Sequence, residues 1–179
     1  MKRLLSVLVV GLVALGIQSG LSMVIPRQLC PDLGLLVVIA IGLHWRDVTS
    51  GLFIASVLGF TADMLSSSIF GGHALMRVLI YAATAISRQR MDLRSGVALA
   101  LFAGGMTIFY ALGLFVLMRF FGADSNGFRW TGIGGLFPHT FVNAVCAPLV
   151  SALVLRVCEW ADGEASPRGL EIEARRPTS

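Results

Sequence analysis

The residue most able to do chemistry in the first half of the chain is Asp63, a carboxylate at the end of an apolar run. Gly51, Ala55, Gly59 and Asp63 are each four positions apart, so in a helix they share one face. Small residues at this spacing let helices pack closely in a membrane. A carboxylate at membrane depth is costly unless it is paired, so Asp63 is predicted to have a functional or assembly role.

A second polar stripe follows directly after that run. Its members recur at spacings of four, four, three and four and therefore lie on one helix face: His73, Arg77, Tyr81, Thr84 and Arg88. Asp63 precedes the loop that leads to this stripe, so it could pair with Arg77 or His73. The opposite charge would keep the carboxylate ionised.

A third stripe lies in the last apolar run: His139, Asn143, Cys146 and Ser151. For Asp63 and Arg77 two roles are open, holding helices together or chemistry, and the first is favoured because buried polar residues in membrane bundles often serve assembly. Asn143 is predicted to be an interhelical hydrogen-bonding residue. A metal or proton-relay role for His73 and His139 is the less favoured alternative. The triple serine Ser66–Ser68 is predicted to be a loop and cap element.

The composition places these stripes in a membrane. Of 179 residues, 56% are hydrophobic and only 13% are charged, and the mean hydropathy is +0.81. A soluble domain has about 25% charged residues. The net charge of +4 comes from arginines in short loops, which is the positive-inside pattern of membrane proteins rather than a nucleic-acid patch. The three cysteines form no metal or disulfide pattern.

The apolar runs predict an all-α, polytopic membrane bundle of six helices, with five as the open alternative. Three runs are long enough to span, and three are short and predicted to be central. The runs are Leu4–Ile25, Leu33–Leu43, Gly51–Ala62, Ala74–Ile86, Val97–Phe121 and Leu136–Cys158. Residues 1–158 are predicted to form one transmembrane domain, and residues 159–179 a short polar cytoplasmic tail.

The distribution of positive charge predicts the orientation. With six helices and an internal N-terminus, most basic residues lie on the cytoplasmic side: Lys2, Arg3, Arg46, Arg88, Arg90, Arg94, Arg156, Arg168, Arg175 and Arg176. Arg27, Arg119 and Arg129 lie outside. Both termini are therefore predicted to be cytoplasmic.

The chain lacks the common catalytic signatures. It contains no H-E-x-x-H, no G-x-S-x-G and no phosphate-binding glycine loop followed by lysine. It also has no clustered His/Cys ligand set. The sequence predicts a protein that is not an enzyme and needs no cofactor.

One motif resembles a known family. The pattern G-F-x-x-D-x-x-S-x-S-x-x-G, followed at once by an apolar helix, is similar to that of the MreD rod shape-determining proteins. It is formed by Gly59, Phe60, Asp63, Ser66, Ser68 and Gly71 or Gly72. The order of elements is also similar: a basic N-terminus, Pro31-Asp32 before helix 2, an arginine-rich loop after helix 4, and a last helix with Asn143, Pro148 and Arg156.

The resemblance implies a non-catalytic scaffold of the cell-elongation complex in the bacterial inner membrane. Such a protein binds MreC and works with MreB, RodA and the transpeptidase partner of RodA to place lateral peptidoglycan synthesis and maintain rod shape. It also implies contact with membrane lipids, and a fold similar to the six-helix substrate-binding subunits of energy-coupling-factor transporters. The motif residues Gly59, Asp63, Ser66, Ser68 and Gly72 carry over to this chain, without an assigned chemical role.

A second function from a different class stays open. The chain could be the substrate-binding membrane subunit of a vitamin-type transporter. That function needs a cavity lined by Arg77, Tyr81, His139 and Asn143.

Overall fold

A computed structural model of the chain describes residues 2–26, 28–45, 47–66, 70–90, 95–121 and 132–163. These residues form six α-helices and no strand, which confirms the all-α membrane bundle. The helices are α1 Lys2–Val24, α2 Leu33–His44, α3 Val48–Ser66, α4 Gly72–Ser87, α5 Gly96–Phe120 and α6 Gly132–Gly163.

The expected lengths were wrong for two helices. α3 has 19 residues and joins α1, α5 and α6 as a helix long enough to span a membrane, so only α2 and α4 are short. Its polar first turn is capped by Asp47, whose carboxylate accepts the N–H of Thr49 at 3.2 Å and the hydroxyl of Ser50. The Ser50 hydrogen bond lowers the pKa of Asp47. A helix prediction based on apolar runs leaves out such polar helix ends.

The last helix is also longer than its apolar run. α6 begins at Gly132 and continues to Gly163, five residues beyond Cys158, through Pro138 and Pro148. Residues 164–179 lie outside the described residues. The division into a membrane domain and a polar tail therefore stays a prediction, with helical structure reaching into its first residues.

α2 is the centre of the bundle. It contacts all five other helices, and every residue from Gly34 to Leu43 is buried. Its side chains are apolar all round, as expected for a helix enclosed by protein. Its 12 residues measure about 18 Å, well short of a bilayer core of about 30 Å.

α4 presents its polar side to the protein and its apolar side outward. Arg77, Tyr81 and Thr84 are buried, whereas Leu75, Leu79 and Ile86 are exposed. This confirms that the predicted polar stripe is one face, with His73 and Arg88 half-buried at its two ends. Such an inverted distribution fits a helix that contacts lipid on its outer face.

The start of α1 and the end of α6 meet at one end of the bundle. Arg3, at the start of α1, pairs with Asp162, near the end of α6, at 3.3 Å. The Arg3 guanidinium also lies 4.6 Å from the centre of the Trp45 ring. Arg88 donates to the Trp45 carbonyl oxygen. The starts of α1 and α3 and the ends of α2, α4 and α6 therefore share this end.

Candidate functional site

The predicted face of α3 is confirmed. Gly51, Ala55, Gly59 and Asp63 are all buried, and α3 packs along α4. At Gly59 an added Cβ would lie 2.4 Å from the Ala74 Cα, so only glycine lets the two backbones approach this closely. The small residues therefore position α4, and Asp63 closes the row at the end where α4 begins.

Asp63 caps α4 from the neighbouring helix. The residue is 3% exposed, and its two carboxylate oxygens accept the backbone N–H groups of His73 at 2.8 Å and Ala74 at 3.1 Å. The N-cap residue of α4, Gly71, has φ +91° and makes no side-chain cap. Asp63 supplies the missing acceptor, and its charge is favourable at a helix N-terminus. The expected pairing with the side chains of Arg77 or His73 is replaced by these backbone contacts.

The rest of the motif surrounds this cap. Ser66 is the last residue of α3, and Gly72 is the buried first residue of α4. The turn needs glycine at Gly71, where a positive φ strains other residues. Ser68 lies outside the described residues, so its predicted cap role stays untested.

Arg77 is the most deeply buried charge among the described residues, at 1% exposure. Its Nη1 donates to the Leu58 carbonyl oxygen at 2.8 Å, and its Nη2 pairs with Asp32 at 3.1 Å. Asp32 is itself the N-cap of α2, since its Oδ1 accepts the Leu35 N–H at 2.9 Å. Arg77 thus joins α4 to the start of α2 by an ion pair and to α3 by a hydrogen bond. Sequence reasoning missed this partner, although an aspartate just before an apolar run is an N-cap signal.

Asn143 extends the network to α5 and α6. The residue is fully buried, and its Oδ1 accepts the Asp32 N–H at 2.8 Å. Its Nδ2 donates to Thr107 Oγ1 at 3.2 Å and to His139 Nε2 at 3.3 Å. Asn143 is therefore an interhelical hydrogen-bonding residue, as predicted.

His73 completes the network through a hydrogen bond between its Nδ1 and the Tyr110 hydroxyl, which joins α4 to α5. We name the whole set the polar cluster. Its members come from α2 to α6: Asp32, Asp63, His73, Arg77, Thr107, Tyr110, His139 and Asn143. Among the described residues, no three His, Cys, Asp or Glu side chains group as metal ligands.

The cavity expected for a transporter subunit is not built from the predicted residues. The terminal nitrogens of Arg77 and the amide of Asn143 are bonded to protein groups, and Tyr81 packs against Gly51. A cavity of 530 Å³ lies elsewhere, in a largely apolar groove between α5 and α6. It is lined by residues such as Gly104, Phe137 and Phe141.

The comparisons agree with this architecture. A family model described as rod shape-determining protein MreD matches residues 1–157, a segment that contains the entire polar cluster. Comparisons with curated proteins and with solved structures found no match. The likeness to energy-coupling-factor subunits therefore stays an expectation. Because the family match covers most of the chain, this protein belongs to the MreD family of rod shape-determining proteins.

Proposed function

We propose that this protein maintains rod shape as a non-catalytic scaffold of the cell-elongation complex in the inner membrane, and that it binds MreC. The observation that supports this proposal is that the charged side chains of the polar cluster are bound by other groups of the protein. Both oxygens of Asp63 and both terminal nitrogens of Arg77 are taken by groups of other helices. A residue that acts as a general acid or base must be within reach of a substrate. Asp63 and Arg77 instead bind groups of neighbouring helices, and such contacts hold a partner-binding surface rigid.

The contact with MreC is assigned to the turn between α3 and α4. Four large apolar side chains around Asp63 are exposed: Phe60, Met64, Leu65 and Phe70. We name them the turn surface. Phe60 of α3 and Phe70, in the turn just before α4, pack edge to face with ring centres 4.9 Å apart. Exposed apolar clusters of this kind suit a protein partner as well as lipid.

The residues predicted from the sequence to organise the site act behind this surface. Gly59, Asp63, Gly72, His73, Arg77 and Asn143 organise the bundle, and Ser66 ends α3 beside the turn. The role of Ser68 stays a prediction. RodA, its transpeptidase partner and MreB join the same assembly, with lateral peptidoglycan synthesis placed by the complex as a whole. The proposal also places both termini in the cytoplasm.

The first prediction concerns Asp63→Ala. Loss of the cap should destabilise the protein by about 0.5–2 kcal/mol and displace the turn surface, so that less MreC is recovered with a tagged copy from gently solubilised membranes. Rod shape should fail in cells that depend on the variant. The matched control is Asp162→Ala, which removes an exposed carboxylate at the opposite end of the bundle.

A second variant separates binding from folding. Phe70→Ala shortens an exposed side chain and removes its edge-to-face contact with Phe60, so it should lower the melting temperature only slightly while strongly lowering MreC recovery. Normal MreC recovery and normal shape with both Asp63→Ala and Phe70→Ala would refute the assigned surface. Recovery of an ATPase pair with a bound metabolite would replace the scaffold by the transporter function.

A further inference from the structure

The apolar groove between α5 and α6 has one wall of small residues and one of larger ones. α5 contributes small residues such as Gly96, Ala100 and Gly105, and α6 contributes Phe141 and Val145. At Gly96 and Gly105, no other part of the described chain lies within 4 Å of the position that a Cβ would take. The groove encloses 530 Å³, within the range of about 300–1,000 Å³ found for small-ligand sites. It therefore has room for an occupant.

The groove starts at one end of the bundle and stops inside it. α4 ends at Arg88, beside Trp45, and α5 begins eight residues later at Gly96, so the start of α5 lies at this end. Fourteen residues further on, Tyr110 bonds to the first turn of α4, near the other end. From Gly96 to Ile108, the last α5 residue of the groove, the helix rises about 18 Å. This matches one leaflet of the bilayer core, about 15 Å, whereas a partner helix that crosses the membrane needs about 30 Å.

A positive charge lies on the same face of α6, at the end where the groove starts. Phe141, Val145, Leu149 and Arg156 are all exposed and follow one another at spacings of four, four and seven, so they share one helix face. Arg156 is six residues before Asp162, which pairs with the start of α1 at this end. Arg156 itself makes no ion pair with any described residue. The groove thus combines an apolar channel of leaflet length with a free cation at the membrane surface.

We propose that this groove is a binding site for one anionic phospholipid. An acyl chain lies between α5 and α6, and the phosphate lies near the start of α5, where Arg156 pairs with it. The length of the groove selects a lipid chain over a membrane-crossing helix, and the charge of Arg156 selects an anionic headgroup. The site goes beyond the scaffold function, because the turn surface lies at the opposite end of the bundle.

Gly105→Phe tests the groove, because it puts a ring where the lipid chain would lie. The Cβ position is open and glycine is a weak helix former, so the melting temperature should not fall. Binding of phosphatidylglycerol to the purified protein in detergent, counted by native mass spectrometry, should weaken about tenfold, the effect of leaving roughly two CH₂ groups unburied. Gly16→Phe is the matched control. Its Cβ position is equally open, but it lies on α1, which does not pack against α5 in the described chain.

Arg156→Gln tests the contact with the headgroup. The wild-type protein should prefer phosphatidylglycerol over phosphatidylcholine with the same acyl chains by about fivefold, the effect of one arginine near an anionic surface. The variant should bind both lipids equally. Because Arg156 is exposed, its replacement should leave the melting temperature unchanged. Lys2→Gln is the control, since Lys2 is an exposed cation at the same end but belongs to α1, and its loss should keep the preference.

Three results would overturn the proposal. Wild-type lipid binding by Gly105→Phe would mean that no lipid chain occupies the groove. An unchanged lipid preference in Arg156→Gln would remove the anionic headgroup, and this variant decides the matter even if Gly105→Phe does not fold. Loss of a second copy of the chain, with lipid binding unchanged, would assign the groove to a dimer contact. All readouts use the purified protein alone, so they do not depend on the recovery of MreC.

Discussion

At the scale of single residues, the buried charges in the described part of the chain are matched by groups from other helices. Asp63 is matched by the N-terminal N–H groups of α4, and Arg77 by Asp32 and a backbone carbonyl. Isolated charges in the bilayer are expensive, so the burial of Asp63 and Arg77 as assembly groups follows from their position in apolar runs. The sequence does not predict the partners of these charges. Asp32 is 45 positions from Arg77, and no local spacing connects the two residues.

The ion pair gives the prediction for this scale. Asp32→Ala should destabilise the bundle by about 3–5 kcal/mol, since it leaves the Arg77 charge buried without its partner. The double variant Asp32→Ala with Arg77→Met should cost less than the sum of the two single changes. Thermal or denaturant unfolding in detergent measures this coupling.

The control is the exposed ion pair between Arg3 and Asp162, at the opposite end of the bundle. Asp162→Ala removes the partner of Arg3 and should cost about 0–1 kcal/mol. Additive effects of the Asp32 and Arg77 changes would contradict the role given to the pair.

At the scale of elements, glycines and caps decide how helices meet. The spacing of four in α3 predicted its contact face because small residues in membrane helices mark close packing. The helix ends were less predictable. α3 and α6 extend through polar residues that a hydropathy pattern assigns to loops. The acceptor for the N–H groups in the first turn of α4 is Asp63 of α3 and not the N-cap residue of α4.

The prediction for this scale is Gly59→Ala. Its new Cβ would meet the Ala74 backbone, which cannot rotate away, so the helices must separate at a cost of about 1–3 kcal/mol. The melting temperature in detergent should fall. Gly16→Ala is the control, because Gly16 in α1 has no atom of another residue near its Cβ position. There alanine should raise helix stability by about 0.5–1 kcal/mol. Equal effects at both sites would contradict the close packing at Gly59.

At the scale of the whole molecule, six helices bring the start of α1 and the end of α6 to one end of the bundle. The count was predictable from the apolar runs, and the charge distribution predicts that this end is cytoplasmic. The central place of α2 was only partly predictable. Its short, uniformly apolar run indicates burial, but its contact with every other helix is a property of the assembled bundle.

Labelling of engineered thiols tests the orientation. A membrane-impermeant maleimide should modify Leu29→Cys in intact cells, because Leu29 is exposed in the loop between α1 and α2. Gln89→Cys, exposed after α4, should react only after the cells are permeabilised. The neighbouring Cys30 should contribute little background, since burial and the nearby Asp32 raise the pKa of its thiol. The reverse labelling pattern would place both termini outside.

The enclosure of α2 has a consequence for how the protein is made. The ribosome delivers α2 second, yet most of the helices that surround it, α3 to α6, are synthesised later. At about 18 Å it is too short to rest across the bilayer alone. We therefore expect α2 to wait at the insertion machinery or in the membrane interface. Its burial is completed only after α6 has been synthesised. Nascent chains arrested after α4 should leave α2 accessible to proteases, and release of the full chain should bury it.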